Sequence, residues 1–253
     1  MAEAYLRNQE PQGTNLSSIV ESGYDRIAEW YDKQRRSWSN RKELEDFAQR
    51  LPKGAEVLDA GCGAGYAVSF LAKRGFAVTG IDVSKKMLEL AERKAPRATL
   101  LRMDMRRMDF PSKSFDGIVC LYAIIHVPRR SHRRILSCFK DMLKPNGLLL
   151  ICTGWGDYVG PEDDWLGTGT RMYWSHFDKE TNLKMIKQTG FRIVWSRPSR
   201  KHDGTHLFVL AKKENDADFS TRSRLPSVRL ESQVPNNRSM GSSARCPVCR
   251  VVK

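Results

Sequence analysis

The sequence lacks any long apolar run, since even the stretches from Ile118 to Ile125 and from Leu148 to Cys152 are short. A membrane-spanning helix needs roughly 20 apolar residues, so no such helix is predicted. Residues 1–13 also lack the apolar core of a secretory signal. We therefore expect a cytoplasmic protein that does not associate with membranes.

Cysteine is too sparse and too scattered for a disulfide framework. The chain has six in 253 residues, and the first four lie in apolar or glycine-rich stretches, at positions 62, 120, 138 and 152. This usage is typical of a reducing compartment. The last two, Cys246 and Cys249, have the spacing of zinc ligands, but no two further ligands lie nearby, so no metal site is predicted.

Acidic residues are in deficit, because 43 Lys+Arg stand against 29 Asp+Glu and give a formal net charge of +14. A nucleic-acid partner, an acidic substrate or a solvated positive surface would each explain this excess. The basic residues are spread in short clusters, and residues 214–253 have almost no periodic apolar pattern. We predict that 214–253 is a disordered basic tail.

From Glu56 onward the chain alternates short aliphatic or β-branched runs with segments of helical period, which is the pattern of βαβ units. The predicted strands are 56–60, 77–82, 98–103, 115–122, 147–153, 191–196 and 205–211. They indicate an α/β fold with a Rossmann-like, doubly wound sheet of seven strands, mostly parallel with an antiparallel C-terminal hairpin. This domain is expected over 51–213, after an N-terminal segment, 1–50, with lid helices.

Local signals predict several helix ends. Ser84 is a predicted N-cap, and Gly75 is predicted to follow a helix C-terminus. Ser131 is predicted to cap a later helix. The spacing of Asn40 and Glu43 matches a capping box for a helix in the N-terminal segment.

A hydrophobic strand leads into a glycine-rich turn, with Asp59 ahead of Gly61, Gly63 and Gly65. Glycines are needed where a backbone turns tightly and a ligand approaches it. The next predicted strand ends at Asp82, where an acid can accept both hydroxyls of a ribose. This combination indicates a nucleoside-binding site.

Charge distinguishes among the nucleosides that such a turn can bind. Asp104 follows the third predicted strand, so Asp59, Asp82 and Asp104 are expected to converge at one edge of the sheet. Three carboxylates would repel a pyrophosphate and favour a positively charged ligand. S-adenosylmethionine, with its ammonium and sulfonium groups, therefore fits better than a dinucleotide.

These motifs, with 115–119 and 143–147, resemble those of class I S-adenosylmethionine-dependent methyltransferases. The resemblance implies that the turn from Asp59 to Gly65 holds the methionine portion of the cofactor. It assigns the ribose to Asp82 and the adenine to Asp104 and Met105. The cofactor-binding residues expected on this basis are Tyr31, Asp59, Gly61, Cys62, Gly63, Gly65, Asp82, Val83, Asp104, Met105 and Leu121.

Methyl transfer to an activated carbon needs alignment and exclusion of water rather than a covalent residue. Where the acceptor must lose a proton a nearby base helps, so Tyr122 and His126 are the candidate catalytic residues. A purely orienting role for His126 stays open. The N-terminal helix is expected to fold over the site, where Tyr31 could face the sulfonium.

Residues 153–177 form a long insertion with interleaved aromatic residues, and connections of this length are usually functional or loosely ordered. Trp165, Trp174 and His176 are its candidate substrate-binding residues. A folded cap that packs on the sheet is the alternative reading of the segment around His176.

The sequence thus predicts an S-adenosylmethionine-dependent methyltransferase that acts on a small-molecule acceptor. An RNA methyltransferase, with transfer RNA the first candidate, is the alternative that the net charge supports. It is not favoured, because no separate RNA-binding module accompanies the domain. A cofactor-binding protein without turnover is the third hypothesis. The acceptor and the oligomeric state are not specified by the sequence.

Overall fold

The computed structural model describes residues 16–35, 40–199 and 206–215. The helices are α1 (Leu16–Arg35), α2 (Arg41–Gln49), α3 (Tyr66–Ala72), α4 (Lys85–Lys94), α5 (His132–Met142) and α6 (Lys179–Gln188). The strands are β1 (Glu56–Ala60), β2 (Ala77–Asp82), β3 (Thr99–Arg102), β4 (Phe115–Leu121), β5 (Leu143–Gly154), β6 (Tyr158–Trp165), β7 (Thr170–His176), β8 (Phe191–Pro198) and β9 (His206–Lys213). Predictions about Cys246, Cys249 and nearly all of the 214–253 tail fall outside the described residues.

Seven strands form one sheet in the order β3-β2-β1-β4-β5-β9-β8. β1 pairs in parallel with β2 and β4, and β4 pairs in parallel with β5, whereas β9 is antiparallel to both β5 and β8. The predicted Rossmann-like sheet with an antiparallel C-terminal hairpin is therefore confirmed. Because strand order reverses between β1 and β4, a crevice for a ligand opens at their carboxyl ends.

Helices cover both faces of the sheet. On one face α2 and α3 bury Leu44, Phe47 and Leu71 against the strands. On the other face α5 buries Phe139, and α1 and α6 also lie on this side. Parallel strands need such double cover, and all of β1 after its first residue is accordingly buried.

The insertion is ordered rather than loose, since it contains the separate antiparallel pair β6 and β7. α1 packs directly on this hairpin. A Cβ on Gly23 of α1 would lie 2.8 Å from Met172 Cε and 3.0 Å from the Arg171 carbonyl oxygen. α1 and the hairpin therefore form one continuous cover over the carboxyl end of the sheet.

Of the three predicted N-caps, Ser84 is confirmed, whereas Ser131 and Asn40 make no capping hydrogen bond with their side chains. Ser84 does cap α4, because its hydroxyl accepts the Met87 N–H at 3.1 Å. Ser131 precedes α5 without a side-chain cap hydrogen bond, in a helical backbone conformation that suits capping poorly. Asn40 precedes α2 but also makes no cap, since its side-chain oxygen accepts the Tyr122 hydroxyl at 3.2 Å instead. Gly75 adopts the positive φ, 83°, expected just after a helix.

Within the described part of the chain, no helix combines the length and apolarity that crossing a bilayer requires. The same residues contain no cluster of three or more His, Cys, Asp or Glu side chains suited to a metal ion. The four cysteines described there, at positions 62, 120, 138 and 152, are free thiols.

Candidate cofactor site

The glycine turn between β1 and α3 is built from left-handed backbone. Gly61 and Gly65 have φ values of 79° and 78° and pack tightly, since a Cβ on Gly61 would lie 2.2 Å from Ala123 Cβ. Gly63, with φ of 51°, is different because a Cβ there would meet nothing within 4 Å. The turn is thus packed at its two ends and open at its middle, where its backbone can touch a ligand.

The three acids converge as predicted, because Asp59, Asp82 and Asp104 all line one cavity at the carboxyl end of the sheet. Asp82 is tied to the turn: its two carboxylate oxygens accept the Gly63 N–H at 2.8 Å and the Ser84 N–H at 2.9 Å. Burial raises the pKa of Asp82 above its ordinary value, although these N–H donors oppose the change. A carboxylate has about four acceptor sites, so Asp82 can still accept a hydroxyl group beside its backbone N–H donors.

Asp104 has a cationic partner that the sequence did not reveal. Arg106 Nη2 lies 2.6 Å from Asp104 Oδ2, and the Ser17 hydroxyl donates to the same oxygen at 3.2 Å. Burial alone would raise the pKa of Asp104, but hydrogen bonds and charge from Arg106 outweigh it and hold the pKa below its ordinary value. Asp104 is therefore a stable carboxylate.

Cys62, in the turn itself, lines the same cavity as a neutral thiol. Burial raises its pKa well above the ordinary value, and the nearby Asp82 and Asp59 charges add to the effect. A neutral thiol is a poor nucleophile, so Cys62 contributes packing rather than covalent chemistry.

The cavity is roofed by α1. Ser17, Val20, Tyr24 and Tyr31 of this helix line it, together with Asp32. An acidic row on α1, defined as Glu21, Asp25, Glu29 and Asp32, connects the roof to the domain below.

Each member of the acidic row has a partner near α4 or β3. Asp25 accepts the Ser84 hydroxyl at 2.5 Å and the Lys86 N–H at 3.1 Å, so it completes the cap of α4. Lys94 bridges the Asp32 carboxylate and the Ala64 carbonyl of the glycine turn. The two outer pairs join Glu21 to Arg102 and Glu29 to Arg93.

His126 lies in the cavity wall with both ring nitrogens engaged. Its Nδ1 is 2.8 Å from the Tyr173 carbonyl oxygen, and its Nε2 is 2.9 Å from the Tyr24 hydroxyl. Burial lowers its pKa to about 4, with the Tyr173 hydrogen bond opposing the change. The ring is therefore neutral at pH 7.

Tyr122 also lines the cavity, and its backbone is strained, with a φ of 58° in a residue other than glycine. Its hydroxyl donates to the Asn40 side-chain oxygen at 3.2 Å, and its ring meets His206 edge-on at 4.8 Å between centroids. Strain of this kind is often held at functional sites.

The candidate substrate residues of the insertion lie behind the cavity rather than in its lining. Trp165 packs edge-on against Tyr24 at 5.2 Å between centroids, and Trp174 packs against His126 at 4.4 Å. His176 lies further away and faces the Gly156 carbonyl, at 2.8 Å from Nδ1. Burial lowers the pKa of His176, so it too is neutral at pH 7.

The structure brings most of the predicted cofactor residues to one place. The expected residues that line the cavity are Tyr31, Asp59, Gly61, Cys62, Gly63, Asp82, Val83, Asp104, Met105 and Leu121. Gly65 does not line it and instead lets α3 approach α4, because a Cβ there would lie 2.7 Å from Ala91. Sequence reasoning missed the lining residues Ser17, Tyr24, Asp32 and Arg106. A helical spacing of 17, 20, 24 and 31 was the available signal for those on α1.

Comparison with known proteins matches residues 57–147 to the model of a methyltransferase domain. A Bacillus subtilis (strain 168) protein named "Putative methyltransferase YqeM" is 35% identical over 172 residues, which is 62% of this chain and 67% of that protein. The chain belongs to the class I S-adenosylmethionine-dependent methyltransferases. The cofactor of this family is S-adenosylmethionine.

Other relatives match over a shorter part. The protein from Talaromyces variabilis named S-adenosyl-L-methionine-dependent Diels-Alderase iccD is 37% identical over 105 residues, 38% of this chain and 35% of that protein. The chain spans less than half of the length of the first curated relatives it matches. Among solved structures, Burkholderia thailandensis 1,6-didemethyltoxoflavin-N1-methyltransferase has the same fold, with a TM-score of 0.63 at 20% identity over 82% of this chain and 93% of that one.

Proposed function

We propose that this protein transfers a methyl group from S-adenosylmethionine to a small-molecule acceptor. One observation carries the proposal: three carboxylates, Asp59, Asp82 and Asp104, line the same roofed cavity as a glycine turn whose middle is open. Carboxylates gathered at such a turn suit a cationic nucleoside and disfavour a pyrophosphate. The space above Gly63, where a Cβ would touch nothing, fits a ligand that packs on the backbone.

Each acid has a proposed role toward the cofactor. Asp82, fixed by the Gly63 and Ser84 N–H groups, would accept the two ribose hydroxyls. Asp104, oriented by Arg106, would accept the exocyclic amine of adenine beside Met105. Asp59, only 2% exposed, would balance the ammonium of the methionine portion.

When bound, the cofactor supplies a methyl group on a positively charged sulfur. The acceptor's lone pair forms a bond to the methyl carbon, the carbon–sulfur electrons return to sulfur, and the acceptor's proton passes to water. The protein's task is alignment and exclusion of water, which the α1 roof provides. Tyr31 would place an aromatic face near the positive charge.

A small acceptor is supported by the enclosure of the site. α1 roofs the cavity, and Tyr122 and His126 form part of its wall after β4. The structural neighbour with TM-score 0.63 holds 1,6-didemethyltoxoflavin, a small molecule, with S-adenosylhomocysteine on the same fold.

The test is to incubate the protein with methyl-labelled S-adenosylmethionine and a cell extract divided into RNA and metabolite fractions. Label should enter the metabolite fraction, and Asp82→Asn should abolish the transfer. Label found only in RNase-sensitive material would overturn the proposal in favour of an RNA methyltransferase, the alternative that the net charge of +14 supports.

The relative named as a Diels-Alderase favours a second candidate, a protein that binds the cofactor without consuming it. In that case calorimetry would show binding of S-adenosylmethionine, while no fraction of the extract would acquire label. Formation of S-adenosylhomocysteine in proportion to labelled product would exclude this candidate.

A further inference from the structure

The hydrogen bonds of His126 fix the position of its proton. A carbonyl oxygen can only accept, so the Nδ1 atom that lies 2.8 Å from the Tyr173 oxygen must carry the hydrogen. Burial keeps the ring neutral, which leaves Nε2 with a bare lone pair. The Tyr24 hydroxyl, 2.9 Å from Nε2, must then be the donor of that hydrogen bond.

The surrounding rings hold this pair in place. Tyr24 meets the His126 ring edge-on at 5.4 Å between centroids, and Trp174 packs against the same ring at 4.4 Å and a tilt of 41°. Trp165 packs edge-on to Tyr24 at 5.2 Å. Burial lowers the pKa of His126, and His176 adds to the lowering, so the ring stays neutral at pH 7.

We propose that Tyr24, held by His126, orients a protic acceptor, one whose reacting atom is a hydroxyl oxygen or an amine nitrogen. A phenol oxygen accepts as well as donates, so Tyr24, which lines the cavity, can accept the acceptor's O–H or N–H while its own proton is directed at His126. The acceptor's own lone pair is thereby turned toward the methyl group. This inference rests on the proposed function and deepens it.

In this arrangement neither Tyr24 nor His126 acts as a general base. The acceptor's lone pair bonds to the methyl carbon, the carbon–sulfur electrons go to sulfur, and the acceptor's proton is released to water. Tyr24 keeps its proton throughout. His126 is a positioning residue that acts through Tyr24, since a neutral buried imidazole with both nitrogens engaged is poorly placed to remove a proton.

The first test reads the histidine directly and needs no acceptor. Nitrogen-15 ring spectra of the full-length protein should show His126 as the neutral tautomer with hydrogen on Nδ1 from pH 6 to pH 8. Tyr24→Phe should shift the Nε2 resonance and leave the Nδ1 resonance nearly unchanged. A hydrogen on Nε2, or a doubly protonated ring at pH 7, would overturn the inference.

The second test uses transfer of label from methyl-labelled S-adenosylmethionine to the metabolite fraction. Tyr24→Phe should lower kcat by about 10-fold to 100-fold, the range of an orienting hydrogen bond at the reacting atom. Its affinity for S-adenosylmethionine should stay within about 3-fold of the original. An unchanged kcat in Tyr24→Phe would contradict the inference.

Two substitutions of His126 separate positioning from folding. His126→Asn keeps a donor near the Tyr173 carbonyl but removes the group that faces Tyr24, so its kcat should fall as far as that of Tyr24→Phe. His126→Gln can place an amide oxygen near the Tyr24 hydroxyl and should retain most of the kcat. The double variant Tyr24→Phe/His126→Asn should be no slower than either single variant, because both remove the same interaction. If the fold-loss of kcat in the double variant equalled the product of the two single losses, His126 would not act through Tyr24.

Tyr158→Phe is the matched control, since it removes a hydroxyl from the hairpin, outside the cavity, and should leave kcat unchanged. The outcomes also separate the two proposals. Absence of label from every fraction with the unsubstituted protein would contradict the proposed function and remove this inference with it. Normal transfer that Tyr24→Phe does not slow would contradict the inference alone.

Discussion

The carboxylate of Asp82 accepts the backbone N–H of Gly63 at 2.8 Å, so the end of β2 is joined directly to the middle of the glycine turn. The other oxygen of Asp82 accepts the Ser84 N–H at 2.9 Å and thereby fixes the start of α4. One side chain thus sets the shape of the turn and presents lone pairs to the cavity. Binding and local stability are coupled at this residue.

Asp82→Asn should lower both the stability of the fold and the affinity for the cofactor. The amide places an N–H donor opposite one of the two backbone N–H groups, which leaves a buried donor without an acceptor and costs about 1–3 kcal/mol of unfolding free energy. Affinity for S-adenosylmethionine should fall at least about 30-fold, equivalent to roughly 2 kcal/mol. Calorimetry and chemical denaturation measure the two effects separately.

Asp116→Asn provides the control for that substitution. Asp116 also accepts a backbone N–H, that of Glu56 at 2.9 Å, but it does not line the cavity. Its loss should lower stability without changing cofactor affinity. Equal affinity in Asp82→Asn and the unsubstituted protein would show that the acid has no role in binding.

Alanine substitutions at two glycines of the same turn should differ in effect: one should mainly lower fold stability, and the other should mainly block cofactor binding. Gly61→Ala drives a methyl group to 2.2 Å from Ala123 Cβ and adds strain at a φ of 79°, so it should destabilise the fold by about 2–4 kcal/mol. Gly63→Ala meets open space, so it should cost only about 1 kcal/mol of strain while it blocks the cofactor. Thermal unfolding with and without S-adenosylmethionine distinguishes the two variants. If S-adenosylmethionine raised the Tm of Gly63→Ala as much as that of the original protein, the cofactor would not bind at this turn.

The acidic row of α1 should control exchange of the cofactor. Asp32→Asn removes the partly buried ion pair with Lys94, which also holds the Ala64 carbonyl at 2.8 Å, and should speed dissociation of S-adenosylmethionine by about 5-fold to 10-fold. Glu29→Gln removes an exposed pair with Arg93 and should change dissociation little. Stopped-flow fluorescence gives both rates, and identical rates for the two variants would show that α1 is no barrier to release.

Two buried histidines should make the fold sensitive to acid. Burial lowers the pKa of His126 and His132 to about 4, below the ordinary value of 6.5. The unfolded chain therefore binds more protons than the folded one between these values, so stability is full above pH 6.5 and declines as the pH falls toward 4. Each histidine should contribute a loss of about 1–2 kcal/mol between pH 7 and pH 5.

Urea denaturation at pH 7, 6 and 5 measures this dependence. His132→Gln should flatten it in part, because it removes one of the two titrating rings; His132 lies outside the cavity, and its Nε2 donates to the Val127 carbonyl at 2.9 Å. A pH dependence of equal slope in the variant would assign the effect to other groups.

The sheet could be predicted closely because its strands carry their own signals. β1 and β2 begin and end where the sequence predicts, since buried parallel strands form continuous apolar runs bounded by the glycine turn and by Asp82. The convergence of the three acids follows from topology, because parallel strands end at a common edge.

Contacts between residues far apart in the sequence could not be predicted, because local sequence patterns carry no information about them. The predicted cap at Asn40 failed because Tyr122, 82 residues away, takes its side-chain oxygen. The Tyr24–His126 pair spans 102 residues and exists only once α1 has docked. The hairpin of the insertion was missed because the glycines at 160, 167 and 169 resemble loop breaks, although a positive φ at Gly167 and Gly169 in fact forms its tip.

Calorimetric titration of the protein with S-adenosylmethionine and, separately, with NAD measures whether the three acids select a cationic nucleoside. We expect stoichiometric binding of S-adenosylmethionine that Asp82→Asn weakens at least about 30-fold, with no comparable binding of NAD. Preferential binding of NAD, or affinity for S-adenosylmethionine that is unchanged in Asp82→Asn, would contradict this expectation.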